Sequence, residues 1–542
     1  MKYPKWFALL LGCSLTVTPG VAIAQTVEQL VQQGDTALTQ KQYPAAEGIW
    51  RKVIEQMPKD ANAYTKLCDA LWRQAKLKEA LADCQKAVML NPQSAVAHKN
   101  LGNVFLKQEK LDQAIAAARK AIALDPNYPV GYNLLGRVLM DQKKPDEAIS
   151  AYRKMLALPN QSEVTSHASS HILAYRNIGR VLREQKKFDA AIALYRKAIE
   201  LHPKDDYIYE GLGAALWGQG ELENAEVAYR KAIELDPKNA DRYKILGNVL
   251  EDQGKLEEAV AAYRKAVEVA PKNAFYYRIL GIALSDQGKL EEAVVVYRKA
   301  IELDPKNDSA YNSLAYALSH QGNFEAALAS VRKAIELDPK SSAYPDTLGD
   351  VLSYQGKLEE AVVAYRQAIE LDPKKALYQT NLGNALRKLG KFAEALGSIQ
   401  TALKLEPKDS AAHYQLGKLL QQQGKLDQAV AAYRKAIELE PKSRQARVLL
   451  GQVLLEQQQF AAASDAYRKV LSLPNVFSWE MPTLRVHTLA HNGLGLVLQA
   501  QGNLEGAIAE FKQAIASNAN YTEAQTHLKQ AEQLLAAKRA KR

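Results

Sequence analysis

The sequence predicts an all-α solenoid, a row of helix pairs stacked one on the next, and three observations carry the prediction. The stretch "GKLEEAVAAYRKAVEVAPKN" at Gly254–Asn273 returns 34 residues on at Gly288, and close variants follow at Gly356 and Gly424. Apolar residues inside the period fall on one helical face, as Tyr243, Leu246 and Leu250 do. Glycine, alanine and proline recur at fixed points within it. Length alone, 542 residues, suggests several globular domains, but a strict period makes one continuous array. Low aromatic content (7%) and an excess of Ala, Leu, Lys, Glu and Gln agree with helix throughout.

Residues 1–24 place Lys2 and Lys5 before an apolar run that Pro19 and Gly20 break, and they end on Ala22-Ile23-Ala24. This reads as a signal peptide cut after Ala24, the apolar run being shorter than the ~20 residues a spanning helix needs. "LLGC" (Leu10 to Cys13) offers lipidation at Cys13 as an alternative. An exported chain, periplasmic or secreted, is therefore expected. The formal charge is +11, but two cations lie in the leader and four in the last five residues. About +5 remains for the body, too dilute to point to nucleic acid.

Fourteen units begin at 27, 61, 95, 129, 172, 206, 240, 274, 308, 342, 376, 410, 444 and 488. Units one to four fill 27–160, and an insert occupies 161–171. Units five to thirteen fill 172–477, followed by a second insert at 478–487 and the fourteenth unit at 488–521. A capping helix at 522–538 and a basic tail at 539–542 complete the chain. Position 8 of the unit is glycine in twelve cases and Cys68 or Ala315 in the others; position 20 is always alanine. Small residues there let two antiparallel helices approach closely, which offsets the ~1 kcal/mol a glycine costs a helix. A "QG" turn joins the pair, and a proline near position 32 ends the second helix. Two residues later a side chain such as Asp60, Ser94, Asn239, Ser341 or Ser443 is placed to cap the next helix.

Small-8, Ala-20 and Pro-32 in register over nearly the whole chain resemble the tetratricopeptide repeat (TPR) family, and the wording is similar to that of secreted cyanobacterial-type members. The resemblance implies a right-handed superhelix whose concave side is lined by the first helix of each pair. Its groove positions fall here on Lys99, Asn103, Asn133, Arg137, Arg176, Asn177, Arg180 and Arg183, then Lys244 and Asn248. Asp346 and Asp350 follow, then Asn381, Asn384, Arg387 and Lys388. Some family members clamp a terminal carboxylate with Lys-5 and Asn-9 of one unit and Asn-6 of the next. Lys99/Asn103 and Lys244/Asn248 match the first pair, but Leu134 and Ile279 break the clamp.

Little in the chain points to catalysis. Cys68 and Cys84, at positions 8 and 24 of one unit, face the seam and are disulfide candidates for an oxidising compartment, with two buried thiols as the alternative. His167/His171 and His487/His491 pair at i, i+4 without the glutamate of a HExxH motif or a third ligand, so no metal and no cofactor are expected. No phosphate loop or serine elbow stands apart from the repeats. The reading is a non-catalytic scaffold that binds other proteins or peptides, without nucleic acid, its basic tail being the one segment suited to an anionic membrane. The alternative is an envelope glycan or peptidoglycan carrier or sensor, for which Trp217, Tyr207 and Tyr316 are the few stacking rings.

Overall fold

The computed structural model describes residues 26–159, 169–473 and 486–540. Those residues form 29 helices and no strand. The leader, most of both inserts, His167 and the last two residues lie outside them. The described chain divides into two compact units, one ending at Pro237 and the other starting at Lys238.

In most repeats the pair closes on the same contact; in the third, where position 24 is Ala118, Gly102 instead meets Leu134 of the next repeat. All fourteen position-20 alanines are fully buried, from Ala46 to Ala507. A methyl group added to Gly417 would sit 2.6 Å from the Tyr433 ring, and one on Gly213 2.9 Å from Tyr229. Glycine at position 8 is therefore the space that the position-24 ring occupies. Gly34 meets Trp50 in the same way, and Gly383 meets Ile399. Where position 8 is Ala315, position 24 shrinks to Val331, and both are fully buried. In the second repeat the two positions are Cys68 and Cys84, joined as a disulfide with a Cα–Cα distance of 5.3 Å.

The turn between paired helices is left-handed at position 15 in all fourteen repeats. Eight of these residues are glycine, such as Gly254 (φ 77°), but Lys41, Ala75, Glu109, Lys143, Lys186 and Gln458 adopt the same conformation. A "QG" signal marks only the first group. The non-glycine residues bear a backbone cost of ~1 kcal/mol each. They are held there because the next N–H bonds back to the first helix, Lys76 to the Leu71 carbonyl (3.0 Å) just as Lys255 to Leu250 (2.8 Å).

Helix starts follow the expected caps at Asp60, Ser94, Asp205, Asn239, Asn273, Asn307 and Asp409, each accepting a backbone N–H. Ser341 and Ser443 do not cap. The tenth repeat's first helix starts at Ala343 after a helical Ser342, and the Ser443 side chain makes no bond to the helix it precedes. Both inserts end earlier than their spacing implied. Ser169 caps a helix spanning Ser170–Glu184, and Val486–Ala500 takes in His487. The closing helix runs over Thr522–Ala540, past 538, with Arg539 paired to Glu505 at 3.0 Å.

Within each unit, consecutive repeats pack second helix to next first helix, and nearly all successive first helices also touch one another. Successive second helices make no comparable contact among the described residues. Closer spacing on one side than on the other curves each stack, with the first helices on its inner face.

Gly417→Ala should lower stability by about 1–3 kcal/mol in chemical denaturation, because the methyl meets an enclosed ring. Adding Tyr433→Val, which copies Ala315 with Val331, should recover most of the loss. Reducing the Cys68–Cys84 bond should destabilise the first unit by about 3 kcal/mol. A Cys68→Ala/Cys84→Ala chain should then be insensitive to reductant.

Candidate partner-binding face

On neighbouring first helices, position 6 of one meets position 5 or 9 of the one before it across the inner face of each stack. In the first unit Lys66 pairs with Asp35 at 2.6 Å, and the Asn100 amide donates to the Thr65 carbonyl at 3.0 Å. Lys99 turns to the Asn100 side-chain oxygen at 2.6 Å. Burial pulls the Lys99 amine down from its ordinary range, and the Asp69 carboxylate opposes that shift. Asn103 is only 7% exposed, so it is a structural side chain and not a free groove contact.

The fourth and fifth repeats differ. Asn177 Nδ2 donates to Asn133 Oδ1 at 2.9 Å, joining the helices Pro129–Asp141 and Ser170–Glu184. The Arg176 guanidinium lies 3.8 Å from the centroid of the Tyr207 ring, a cation–π contact. Arg180 reaches Glu184 at 3.7 Å, with both side chains about half exposed.

In the second unit several predicted contacts are taken up by the protein itself. Asn248 Oδ1 accepts from the Tyr263 hydroxyl at 2.8 Å, and Lys244 lies 3.9 Å from Asp241. Asn384 Oδ1 accepts from Arg387 Nη2 at 2.9 Å, and Arg387 Nη1 donates to Gln422 at 2.9 Å. Arg387 is 6% exposed, which makes it a clasp between helices more than a ligand contact.

Asp346 and Asp350 stand one turn apart on Ala343–Tyr354. Asn381 donates to Asp346 at 3.0 Å, and the Tyr365 hydroxyl donates to Asp350 at 2.7 Å. Burial pushes the Asp346 carboxyl up to about 6. Burial, and then the neighbouring Asp346 charge, push Asp350 up to about 7. Burial also raises the carboxyls of Glu251 and Asp286. Beside the pair run three rings that the repeat pattern does not single out as a set. His320 lies 4.4 Å from Tyr316 and 4.9 Å from Tyr354, centroid to centroid. The signal was present at positions 9 and 13 of adjacent units, but only stacking aligns them.

One histidine of each pair is drawn into a local bond. His171 meets the Leu158 carbonyl at 2.8 Å, and His491 meets Glu510 at 2.7 Å. Among the described residues no three metal-ligating side chains converge.

The architecture is thus an all-α solenoid of 34-residue helix pairs, most of them closed by a small residue against a ring. The chain belongs to the tetratricopeptide repeat family. Models described as "Tetratricopeptide repeat" match 31–95, 95–128, 414–475 and 489–521, and one described as "TPR repeat" matches 349–390 and 383–424. Residues 128–348 match the "Cilia and flagella-associated protein 70 C-terminal domain". No curated protein matches the sequence. Similar solved structures include the APC/C hetero-tetramer Cut9-Hcn1, at 16% identity and TM-score 0.45, covering 94% of this chain and 97% of that one. Yeast Tom70 is similar at 19% identity and TM-score 0.42, covering 82% and 99%. A tetratricopeptide repeat protein from Parabacteroides merdae is similar at 19% and 0.41, covering 48% and 98%.

Because both aspartates are raised, the folded chain holds protons that the unfolded chain has released. Their favourable contribution is full below about pH 4 and is lost as pH rises through about 6 to 7. Asp350→Asn should therefore leave stability unchanged near pH 4 and raise it at pH 8. Denaturation midpoints measured across that range would refute this if the two chains ran parallel.

Proposed function

We propose that the chain is a non-catalytic scaffold or adaptor that holds extended peptide or protein partners along the inner face of its first helices, in an exported setting. One observation carries the reading. Seam positions 8 and 20 are small and buried in every unit, whereas inner-face residues differ from unit to unit and stay accessible in the fourth and fifth. A stack whose packing positions are spoken for puts its individuality on that face. Export rests on the leader at 1–24. A glycan-binding role ranks second, because Arg176 covers the Tyr207 ring that a sugar would stack on.

A photo-crosslinking residue at Arg137 or Asn384 should capture partners, and one at the exposed second-helix residues Val227 or Val363 should not. Charge reversal of Arg137, Arg176 and Arg180 together should abolish capture at the first site while leaving helicity and melting unchanged. Capture confined to the second helices would refute the assignment.

A further inference from the structure

We infer that the inner face of the fourth and fifth repeats docks an extended acidic segment of a partner protein. The inference rests on the scaffold reading above and adds the chemistry of the partner. Arg137 comes from Pro129–Asp141, and Arg176, Arg180 and Arg183 come from Ser170–Glu184. Their charges converge on two tyrosines that rise from the second helices behind them. Burial raises the Tyr152 hydroxyl to about 12, and Arg180 and Arg137 pull it back. Burial raises Tyr195 too, against Arg183, Arg176 and Arg180. Tyr152 is fully buried with Arg180 beside its hydroxyl, and the buried Arg183 Nε has no hydrogen-bond partner among the described residues.

Charge balance in this patch is incomplete. Among the described residues only Arg180 has a carboxylate within ion-pair distance, the half-exposed Glu184 at 3.7 Å. Such an exposed pair contributes ~0–1 kcal/mol. Guanidinium groups gathered with so little close counter-charge repel one another, and an arriving anion relieves that repulsion. Each fork matches a carboxylate in two parallel bonds.

The amide pair between the helices selects a peptide. Asn177 donates to Asn133, which leaves the Asn133 amide as a donor and the Asn177 oxygen as an acceptor. A peptide group offers the complementary acceptor and donor. An extended chain places alternate side chains ~7 Å apart on one side, on the scale of the single turn between Arg176 and Arg180. Nucleic acid fits less well. Asp141 and Glu184 flank the arginines and repel a uniformly charged backbone, and Arg176 already covers Tyr207, a ring on which a base would stack.

The test uses the intact chain and a fluorescent peptide of alternating glutamate and serine, with its glutamine analogue as control. Anisotropy should show the acidic peptide bound at least about tenfold tighter, with the difference shrinking as salt rises. Arg137→Gln/Arg180→Gln should erase that preference. Arg137→Lys/Arg180→Lys, which keeps charge and fold, should retain only part of it. Asn133→Leu/Asn177→Leu should weaken both peptides alike. Equal binding of the two peptides by the unaltered chain would overturn the inference, as would tighter binding of oligothymidine lost in the same arginine variants. If crosslinkers at Arg137 capture a partner while the acidic peptide fails, the scaffold reading stands and this one falls. Crosslinks confined to the second helices would remove both.

Discussion

Everything in this molecule depends on the fit between position 8 of a first helix and position 24 of its partner. The ring of Tyr433 lies where a side chain on Gly417 would be, and a fully buried alanine at position 20 completes the close approach. That contact sets how near two helices come, and so how wide each brick is. Similar bricks then add inside each unit, which brings position 6 of one first helix against position 5 of the one before. Asn381 on Asp346 and Asn177 on Asn133 are consequences of the seam, though none of these residues belongs to it.

Because the seam supports the fold, the inner face is released to vary, and it varies in sign. The fourth and fifth repeats present arginines with one weak carboxylate partner among the described residues. Farther along, in the second unit, Asp346 and Asp350 share one turn, and burial holds them, with Glu251 and Asp286, above the ordinary carboxylate range. One packing rule thus carries two electrostatic characters. Desolvation acts on the two unequally: the arginines stay charged and less screened than on an open surface, whereas the aspartates are pushed toward their protonated, uncharged form.

The position-15 turn shows how packing overrides local preference. Glycine suits the left-handed residue, but Ala75 and Lys186 take it as well, because the bond back to the first helix and the buried seam hold the loop closed. The second repeat solves the 8–24 fit differently again, with a covalent bond between Cys68 and Cys84.

By itself the sequence determined the helix pairs, their number, the seam and most caps, since a period of 34 repeats each packing demand fourteen times. Through the family resemblance it also named first-helix residues for the inner face. Which of those residues stay available was decided only in the stack. Asn103 and Arg387 are buried there, Asn248 is bonded to Tyr263, and Arg137, Arg176, Arg180 and Arg183 are gathered from two helices. The reason is physical. Periodicity encodes contacts made within and between identical bricks, whereas burial, partner choice and proton affinity on the inner face arise from unlike neighbours that no single repeat contains.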